Sequence, residues 1–232
     1  MRLDEAKKEY YRRRAKEEGY RSRASYKLIQ INEKYRLIRP GAKVVDVGCA
    51  PGGWLEVSSE LVGSKGLVVG IDIVPVKPVR KNVKILLDDV SSEGFPQRLT
   101  DALGKGKADC VLADLSPKLS GIWEMDHFKQ MELCHKVVDL YPEALVMEGS
   151  TVLKAFQGDE LSELVKRLKK SFRRVEISKP DASRKESSEL YLVGIGFTGK
   201  AAPREIESPP AEHQSEQHSD SDESGWQNDR LI

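Results

Sequence analysis

The stretch "VVDVGCAPGGW" (residues 44–54) places a glycine-rich turn directly after an apolar run. Short apolar runs bounded by turn residues are typical of buried strands, and glycines let a ligand approach the backbone without interference from a Cβ atom. In open parallel sheets the ligand binds at the carboxyl ends of the strands, beside a glycine-rich first loop. The stretch therefore predicts the first strand of a Rossmann-like sheet, with Gly48, Gly52 and Gly53 next to the ligand.

Alternating strands and helices are predicted from there to residue 197. Runs with strand character cover 43–47, 67–73, 83–90, 108–115, 144–156, 173–178 and 189–197. Helical patterns cover 25–38, where Pro40-Gly41 ends the helix, and 53–62, 126–141 and 158–171. This alternation predicts an α/β fold with a mostly parallel seven-stranded sheet and helices on both faces. Because no helix fits between the last two strands, the last strand is expected to run antiparallel to its neighbour.

The charge distribution divides the chain into three parts. The formal net charge is +1, but residues 1–39 carry 13 Lys/Arg against 6 Asp/Glu, whereas residues 200–232 carry 3 against 8. The polar, acidic, proline-broken end has no apolar period, so residues 200–232 are predicted to be a disordered tail. The prediction is a basic helical extension (1–39), a globular domain (40–199) and this tail.

Composition also excludes several classes of protein. No stretch stays apolar for the ~18 residues of a membrane span, and no signal-peptide apolar region begins the chain, so no membrane partner is expected. Cys49, Cys110 and Cys134 are widely spaced, which predicts reduced thiols in the cytoplasm. No zinc-ligand spacing occurs, and His213 and His218 lie in the solvated tail, so no metal is expected.

The basic extension interleaves cationic residues with four tyrosines, Tyr10, Tyr11, Tyr20 and Tyr26. One interpretation is a solvated helix stabilised by charge pairs. The other is RNA contact, in which the cations bind phosphates and the aromatic rings stack on unpaired bases. The pattern alone leaves both interpretations open.

The polar residues at the predicted strand ends favour a nucleoside ligand. Asp72 is placed to accept both ribose hydroxyls, and Asp89 is placed to accept an adenine amine. The loop does not match G-x-G-x-x-G, and Pro51 removes an N–H donor that a pyrophosphate would use, so S-adenosylmethionine fits better than a nicotinamide dinucleotide. Asp46 has two equal alternatives, an anchor near the methionine ammonium or a cap for the helix that begins near Gly53.

Five motifs carry a resemblance to a known family. They are "RSRASYKL" (21–28), "DVGCAPGGW" (46–54), "DLSPKLSG" (114–121), "VLKAFQG" (152–158) and "KPDASRKESSELYLV" (179–193). From about residue 21 to residue 197 the chain resembles FtsJ/RrmJ-type (RlmE family) ribosomal RNA large-subunit 2′-O-methyltransferases. Two features depart from the family pattern: Cys49 replaces a small residue of the loop, and the Pro-Gly-Gly turn before the fifth strand is missing.

The resemblance implies a fold, a cofactor and a set of site residues. It implies a Rossmann-like S-adenosylmethionine-dependent methyltransferase that methylates a ribose 2′-hydroxyl, of a uridine, in large-subunit ribosomal RNA. The implied catalytic tetrad is Lys27, Asp114, Lys154 and Glu189. The implied cofactor contacts are Gly52, Trp54, Asp72, Asp89 and Asp114. For Trp54 the alternative is a helix-start residue that packs on the sheet.

The predicted topology supports the tetrad independently. Asp114 and Lys154 follow or end parallel strands, and Glu189 begins an antiparallel strand, so all three are expected at one edge of the sheet, with Lys27 arriving on the N-terminal helix. Lys154 would then act as a general base or orient the hydroxyl. Other functions stay open: methylation of transfer RNA, or a non-catalytic RNA-binding ribosome-assembly factor on the same fold. The expected partner is ribosomal RNA within the large subunit, bound by a monomer.

Overall fold

The computed structural model of the chain describes residues 3–184 and 186–204. Its strands are β1 (Lys43–Val47), β2 (Leu67–Asp72), β3 (Val83–Leu87), β4 (Ala108–Ala113), β5 (Leu145–Phe156), β6 (Phe172–Ser178) and β7 (Glu189–Phe197). Its helices are α1 (Leu3–Glu17), α2 (Ser25–Tyr35), α3 (Gly53–Val62), α4 (Phe95–Leu103), α5 (Trp123–Ala144) and α6 (Leu161–Ser171). No helix of the described residues is long and apolar enough to cross a membrane.

The strands form one seven-stranded sheet in the order β3-β2-β1-β4-β5-β7-β6. β1 pairs in parallel with β2 and β4, β2 with β3, and β4 with β5, whereas β7 runs antiparallel to both β5 and β6. The predicted fold class and the antiparallel last strand are confirmed. The strand order reverses at β1, so a crevice opens between the carboxyl ends of β1 and β4.

Both faces of the sheet are covered, as the apolar strands require. One buried cluster joins the sheet to α4, α5 and α6, with Phe95, Tyr141 and Leu168 among its members. The other joins the sheet to α2 and α3, with Leu28 and Leu55 among its members. The predicted site residues that lie on helices, Lys27 on α2 and Gly53 and Trp54 on α3, are therefore all on one side of the sheet.

The predicted end of α2 is wrong by three residues. The pattern of apolar residues extends to Ile38, but Arg36 adopts a left-handed conformation with φ 53° and its N–H donates to the carbonyl of Asn32. The side-chain oxygen of Asn32 accepts a hydrogen bond from the N–H of Ile38 at 2.9 Å. Asn32 thus turns the chain out of the helix before Pro40, while Ile38 still reaches the core.

The short helix α4 was not among the predicted helices. It buries Phe95, Leu99, Ala102 and Leu103, which lie on one face at helical spacing. Pro96 occupies its first turn, where the missing N–H carries no cost. The helix is held by this narrow apolar face rather than by its length of 9 residues.

The tyrosines of the basic extension are used mainly in packing. Tyr26 is buried and its hydroxyl donates to Glu18 at 2.7 Å, and the hydroxyl of Tyr20 donates to Glu60 at 3.1 Å. Tyr11 accepts a hydrogen bond from Gln30 on α2. Of the four tyrosines, Tyr10 keeps an exposed ring.

The cations of the extension divide into two groups. Arg13 pairs with Glu17 and Arg14 with Glu18 at helical spacing, as the charge-pair interpretation predicts. Arg12, Lys16, Arg21 and Arg23 instead line an open groove of about 550 Å³ beside the site. We call this the basic groove.

The described residues after β7 pack onto α5 and α6. The carbonyl of Ala202 accepts a hydrogen bond from the buried Arg167 at 2.7 Å, and its N–H donates to Ser171 at 3.0 Å. Arg204 forms an ion pair with Glu132. The predicted domain boundary at residue 199 stays a prediction, and the remainder of the predicted tail, with His213 and His218, lies outside the described residues.

Two truncations test whether the packed residues 200–204 stabilise the fold and the residues that follow them do not. Removal of residues 205–232 should leave the melting temperature unchanged, because none of the contacts described above is lost. Removal of residues 200–232 should lower it by about 3–10 °C, because the buried Arg167 loses a hydrogen bond worth about 1.5–3 kcal/mol. Thermal unfolding followed by circular dichroism measures both, and equal melting temperatures for the two truncated proteins would contradict the assignment.

Candidate active site

The crevice at the carboxyl edge of the sheet has a volume of about 380 Å³. Four strand ends contribute to it, because the loops after β1, β2, β3 and β4 all meet there. Its lining includes Gly48 and the charged residues Asp72, Asp88, Asp89, Asp114 and Lys118. Four carboxylates against one lysine make this crevice acidic.

Asp72 is fixed by the loops on either side of it. Its Oδ2 accepts a hydrogen bond from the N–H of Ala50 at 2.8 Å, and its Oδ1 accepts one from the N–H of Val74 at 2.9 Å. Because Asp72 also lines the crevice, it both shapes the β1 loop and presents negative charge to a ligand. This position agrees with the predicted ribose contact.

Two neighbouring aspartates follow β3, and they are held differently. Arg98 and Ser92 bind Asp88, and the Arg98 guanidinium lowers the pKa of that carboxyl to about 2. Asp89 accepts a hydrogen bond from the N–H of Ser91 and is otherwise exposed at the crevice. Asp89 is therefore the freer of the two carboxylates, and its contact with a base amine stays a prediction.

Asp46 lies beneath the crevice as a fully buried carboxyl on β1. Neither of its oxygens has a hydrogen-bond partner among the described residues. Burial, followed by the nearby charges of Asp114 and Asp72, raises its pKa well above the ordinary value. Gly52 at the start of α3 receives no side-chain cap, so the geometry favours the anchor alternative for Asp46 over the capping alternative.

The three glycines of the first loop have different neighbours. Gly48 lines the crevice with φ +77°, and a Cβ atom there would lie 2.7 Å from Leu115. At Gly53 a Cβ atom would lie 2.4 Å from Ser22 Oγ, and at Gly52 it would lie 2.9 Å from the Arg21 guanidinium. Gly52 and Gly53 therefore serve the close approach of the segment before α2, and only Gly48 of the three is a lining residue in the described part of the chain.

Trp54 lies between α2 and the sheet. Its Nε1 donates to the carbonyl of Ala24 at 2.8 Å, and its ring centroid lies 5.7 Å from that of Tyr191. The side chain is almost fully buried. These contacts agree with the packing alternative, and a direct cofactor contact for Trp54 stays a prediction.

The four residues of the predicted tetrad come together as two ion pairs. Lys27 Nζ lies 2.9 Å from Glu189 Oε2. Lys154 Nζ lies 3.3 Å from Asp114 Oδ1 and donates to the carbonyl of Asp114 at 2.9 Å. Both lysines are 5% exposed. Two buried cations are thus each matched by a carboxylate, which is the condition for retaining charge in a protein interior.

Glu189 is negatively charged in this arrangement. Burial alone would raise its pKa, but the charge of Lys27, its hydrogen bond and the charges of Lys154 and Arg23 outweigh burial and lower the pKa below the ordinary value. Because the two lysines and two carboxylates balance, a neutral hydroxyl can enter the site without meeting a net charge.

Tyr191 is the site residue that the sequence reasoning missed. Its buried hydroxyl donates to Asp114 Oδ1 at 3.0 Å, and its ring centroid lies 5.5 Å from Lys27 Nζ. Burial, then the charges of Asp114 and Glu189, raises its pKa well above the ordinary value, so it remains a donor. Tyr191 lies two residues after Glu189 on β7, so both side chains lie on one face of the sheet. The two-residue repeat of a strand could therefore have identified Tyr191 as a neighbour of the tetrad.

Comparison with known proteins places this geometry in a family. A family model described as FtsJ-like methyltransferase matches residues 20–197. A Methanocaldococcus jannaschii relative is 43% identical over 166 residues, 70% of this chain and 68% of its own length. A Nitrosopumilus maritimus relative is 42% identical over 199 residues, 86% of this chain and all of its own. A Methanothermobacter thermautotrophicus relative is 43% identical over 84% of this chain and 93% of its own.

These three relatives share one name, ribosomal RNA large subunit methyltransferase E. A solved structure is also similar, a crystal structure described as that of a ribosomal RNA methyltransferase of Plasmodium falciparum. It aligns with a TM-score of 0.71 and 29% identity over 78% of this chain and all of that one.

Replacement of Asp46 tests the cost of its burial. Asp46→Asn should raise the melting temperature of the ligand-free protein at neutral pH, by about 2–4 °C for each kcal/mol relieved. Because its pKa is raised in the folded state, wild-type stability falls as the pH rises from the ordinary value of 3.8 through the raised pKa. The gain of the asparagine variant should therefore shrink as the pH falls towards 3.8.

Calorimetry at several pH values measures this difference. The exposed Asp159→Asn is the matched control and should leave the melting temperature unchanged at every pH. A gain in the Asp46 variant that does not depend on pH would contradict the prediction.

Proposed function

Because the chain belongs to the FtsJ-like methyltransferase family, we propose that it transfers a methyl group from S-adenosylmethionine to a ribose 2′-hydroxyl in large-subunit ribosomal RNA, at a uridine. The three relatives that are 42–43% identical to this chain carry the name of a large-subunit ribosomal RNA methyltransferase. The observation that carries the proposal is the meeting of two buried lysine–carboxylate pairs at the end of an acidic crevice.

The crevice suits a cationic nucleoside better than a dinucleotide. S-adenosylmethionine would supply a methyl group activated by a positive sulfonium, and it also carries an ammonium. Asp72 and Asp89 line the crevice and offer these groups and the nucleoside negative oxygens, and the unpartnered carboxyl of Asp46 lies buried beneath them. A pyrophosphate placed against the same carboxylates would be repelled, which disfavours a nicotinamide oxidoreductase.

Lys154 is the residue proposed to act on the ribose hydroxyl. A 2′-hydroxyl is a weak nucleophile at neutral pH, so removing its proton or stabilising the developing alkoxide accelerates transfer. Asp114 holds the Lys154 ammonium at 3.3 Å, and Tyr191 in turn holds Asp114. Lys27 and Glu189 complete the second pair. As a base, Lys154 must react as the neutral amine, which takes the hydroxyl proton and becomes the ammonium that Asp114 pairs with; as an ammonium from the start it orients the hydroxyl and stabilises the alkoxide. In both cases alignment of the hydroxyl with the donor supplies a large part of the rate.

The basic groove is the proposed path of the RNA backbone. Arg12, Lys16 and Arg23 contribute positive charge there, next to the helix that carries Lys27. Cations in such a groove bind phosphates without reading sequence, so the groove positions the RNA and leaves target choice to other contacts.

Mapping 2′-O-methylation across total RNA, with and without the gene, tests the substrate. The proposal expects loss of methylation at a uridine of large-subunit ribosomal RNA. Loss of methylation in transfer RNA would identify transfer RNA as the substrate instead. Unchanged methylation with a defect in subunit assembly would favour a non-catalytic assembly factor. The names of the relatives favour ribosomal RNA, and the paired tetrad favours catalysis.

The Lys154→Ala variant tests the chemistry. It should lower the single-turnover methylation rate at least about 100-fold, the lower range for a general base. Affinity for RNA and for S-adenosylmethionine should change little, because an interaction made in the transition state leaves ground-state binding alone. Rapid-quench kinetics and titration calorimetry measure the two quantities.

Two further variants sharpen the result. Lys154→Arg should not restore the rate if Lys154 is a base, because a guanidinium cannot accept a proton, so substantial activity would leave only an orienting role. Lys166→Ala removes an exposed lysine paired with Glu163 and is the matched control, with an expected wild-type rate. Near-normal activity of Lys154→Ala would exclude Lys154 from the site.

A further inference from the structure

An apolar patch lies exposed where the β4 loop enters α5. Its members are Leu119, Ile122, Trp123, Met125 and Phe128, with exposures of 60%, 54%, 45%, 47% and 53%. We call it the rim patch. These residues are close in sequence, and clusters of exposed apolar side chains commonly mark a binding surface. The tetrad and the acidic crevice do not use these residues.

Trp123 is the largest member of the rim patch and is held in a stack. Its ring centroid lies 5.7 Å from that of His127, with an interplanar angle of 29°, and 6.0 Å from that of Phe156, with an angle of 22°. His127 packs closely on Gly158, where a Cβ atom would lie 2.4 Å from the imidazole. The stack therefore fixes the indole, and nearly half of its surface stays exposed.

The loop that leads to Trp123 is also fixed. Asp126 accepts hydrogen bonds from the N–H and the hydroxyl of Ser120, both at 2.7 Å, and from the N–H of Gly121 at 3.0 Å. These bonds tie the loop to the first turn of α5. A ligand that binds the rim patch would lose little entropy in ordering it.

The rim patch is continuous with the catalytic edge. Phe156, on which Trp123 stacks, pairs with Glu189 across the sheet, and Gln130 of α5 donates to the carbonyl of Lys154 at 2.9 Å. Two exposed lysines, Lys118 and Lys129, lie on either side of the patch in the sequence. A fixed and half-exposed indole beside the strands of the tetrad, with exposed lysines nearby in the sequence, has the chemistry of an unpaired nucleobase site.

We propose that the rim patch is a stacking platform for an unpaired RNA base near the target nucleotide, with Trp123 as its main contact. This inference rests on the proposed RNA methylation. Three of the four tyrosines of the basic extension are used in packing, so of these tyrosines and Trp123 the exposed rings are Tyr10 and Trp123, and of the two Trp123 is the one held in a stack. RNA is favoured over a protein partner because the patch adjoins the edge at which the ribose must enter.

Binding of the full chain to a short unstructured oligoribonucleotide, and to a duplex of the same sequence, tests the platform. Trp123→Ala should weaken binding of the single strand about 10–100-fold, the loss expected for one stacked base, and should affect the duplex little. Trp123→Phe should keep most of the affinity because the ring is retained. Met147→Ala, an exposed apolar change at the opposite end of β5, should have no effect.

Salt dependence distinguishes stacking from charge. Trp123→Ala should leave the slope of log affinity against log salt unchanged, whereas Lys129→Gln should reduce it by about 1 if that lysine contacts a phosphate. Affinity of Trp123→Ala for S-adenosylmethionine should match the wild type, and circular dichroism should show the variant folded at the assay temperature although loss of the stack lowers its melting temperature. A changed slope in the tryptophan variant would overturn a stacking role.

Two outcomes separate this inference from the proposed function. If the wild type methylates RNA and Trp123→Ala binds the single strand normally, the platform is wrong and the methylation stands. If the wild type methylates no RNA but Trp123→Ala still loses single-strand binding, the platform stands and the methylation is wrong. If instead Trp123→Ala binds RNA normally and removal of residues 205–232 exposes Trp123 to a fluorescence quencher, the patch serves the tail and the inference is overturned.

Discussion

The close contact between the β1 loop and the segment before α2 is the constraint on which the site depends. Trp54 donates to Ala24, Ser25 donates to the carbonyl of Gly53 at 3.1 Å, and Arg21 bonds to Glu56 and to the carbonyls of Lys77 and Pro78. Lys27 follows within one turn of α2, so its place at the edge of the sheet is set by these bonds. The glycines of the loop allow the approach, because side chains there would collide with Ser22 and Arg21.

The electrostatic arrangement differs between the two halves of the carboxyl edge. At the tetrad, positive and negative side chains are paired, and the desolvation of each lysine is offset by a carboxylate within 3.3 Å. At the crevice, Asp72, Asp88, Asp89 and Asp114 produce a negative potential, and the buried Asp46 below them has a raised pKa and no partner among the described residues. One half therefore carries paired charges and the other an excess of carboxylates, and this contrast underlies the proposed placement of a hydroxyl at the first and a cationic methyl donor at the second.

Apolar periodicity and the order of the elements were sufficient to predict the strands and the topology. Features that depend on individual side-chain contacts were predicted less well. Apolar runs and their spacing predicted all seven strands, and the topology brought Asp114, Lys154 and Glu189 to one edge. The end of α2 depends on a single hydrogen-bonding asparagine, which the apolar pattern does not reveal. The apolar spacing of α4 is present in the sequence, but it spans only 9 residues, and this helix was not predicted. The Cβ position of Gly53 faces Ser22, which residue type alone does not reveal, and a ligand contact for Gly53 stays a prediction.

The position of β7 has a consequence for biosynthesis. This strand is last in the chain but lies between β5 and β6 in the sheet, and it carries both Glu189 and Tyr191. Domains are synthesised from the amino end, so a nascent chain that has emerged only to β6 has the β5 edge unpaired and lacks half of the tetrad's acidic groups. Catalytic competence must then arise in one late step, when the final strand inserts and closes the sheet.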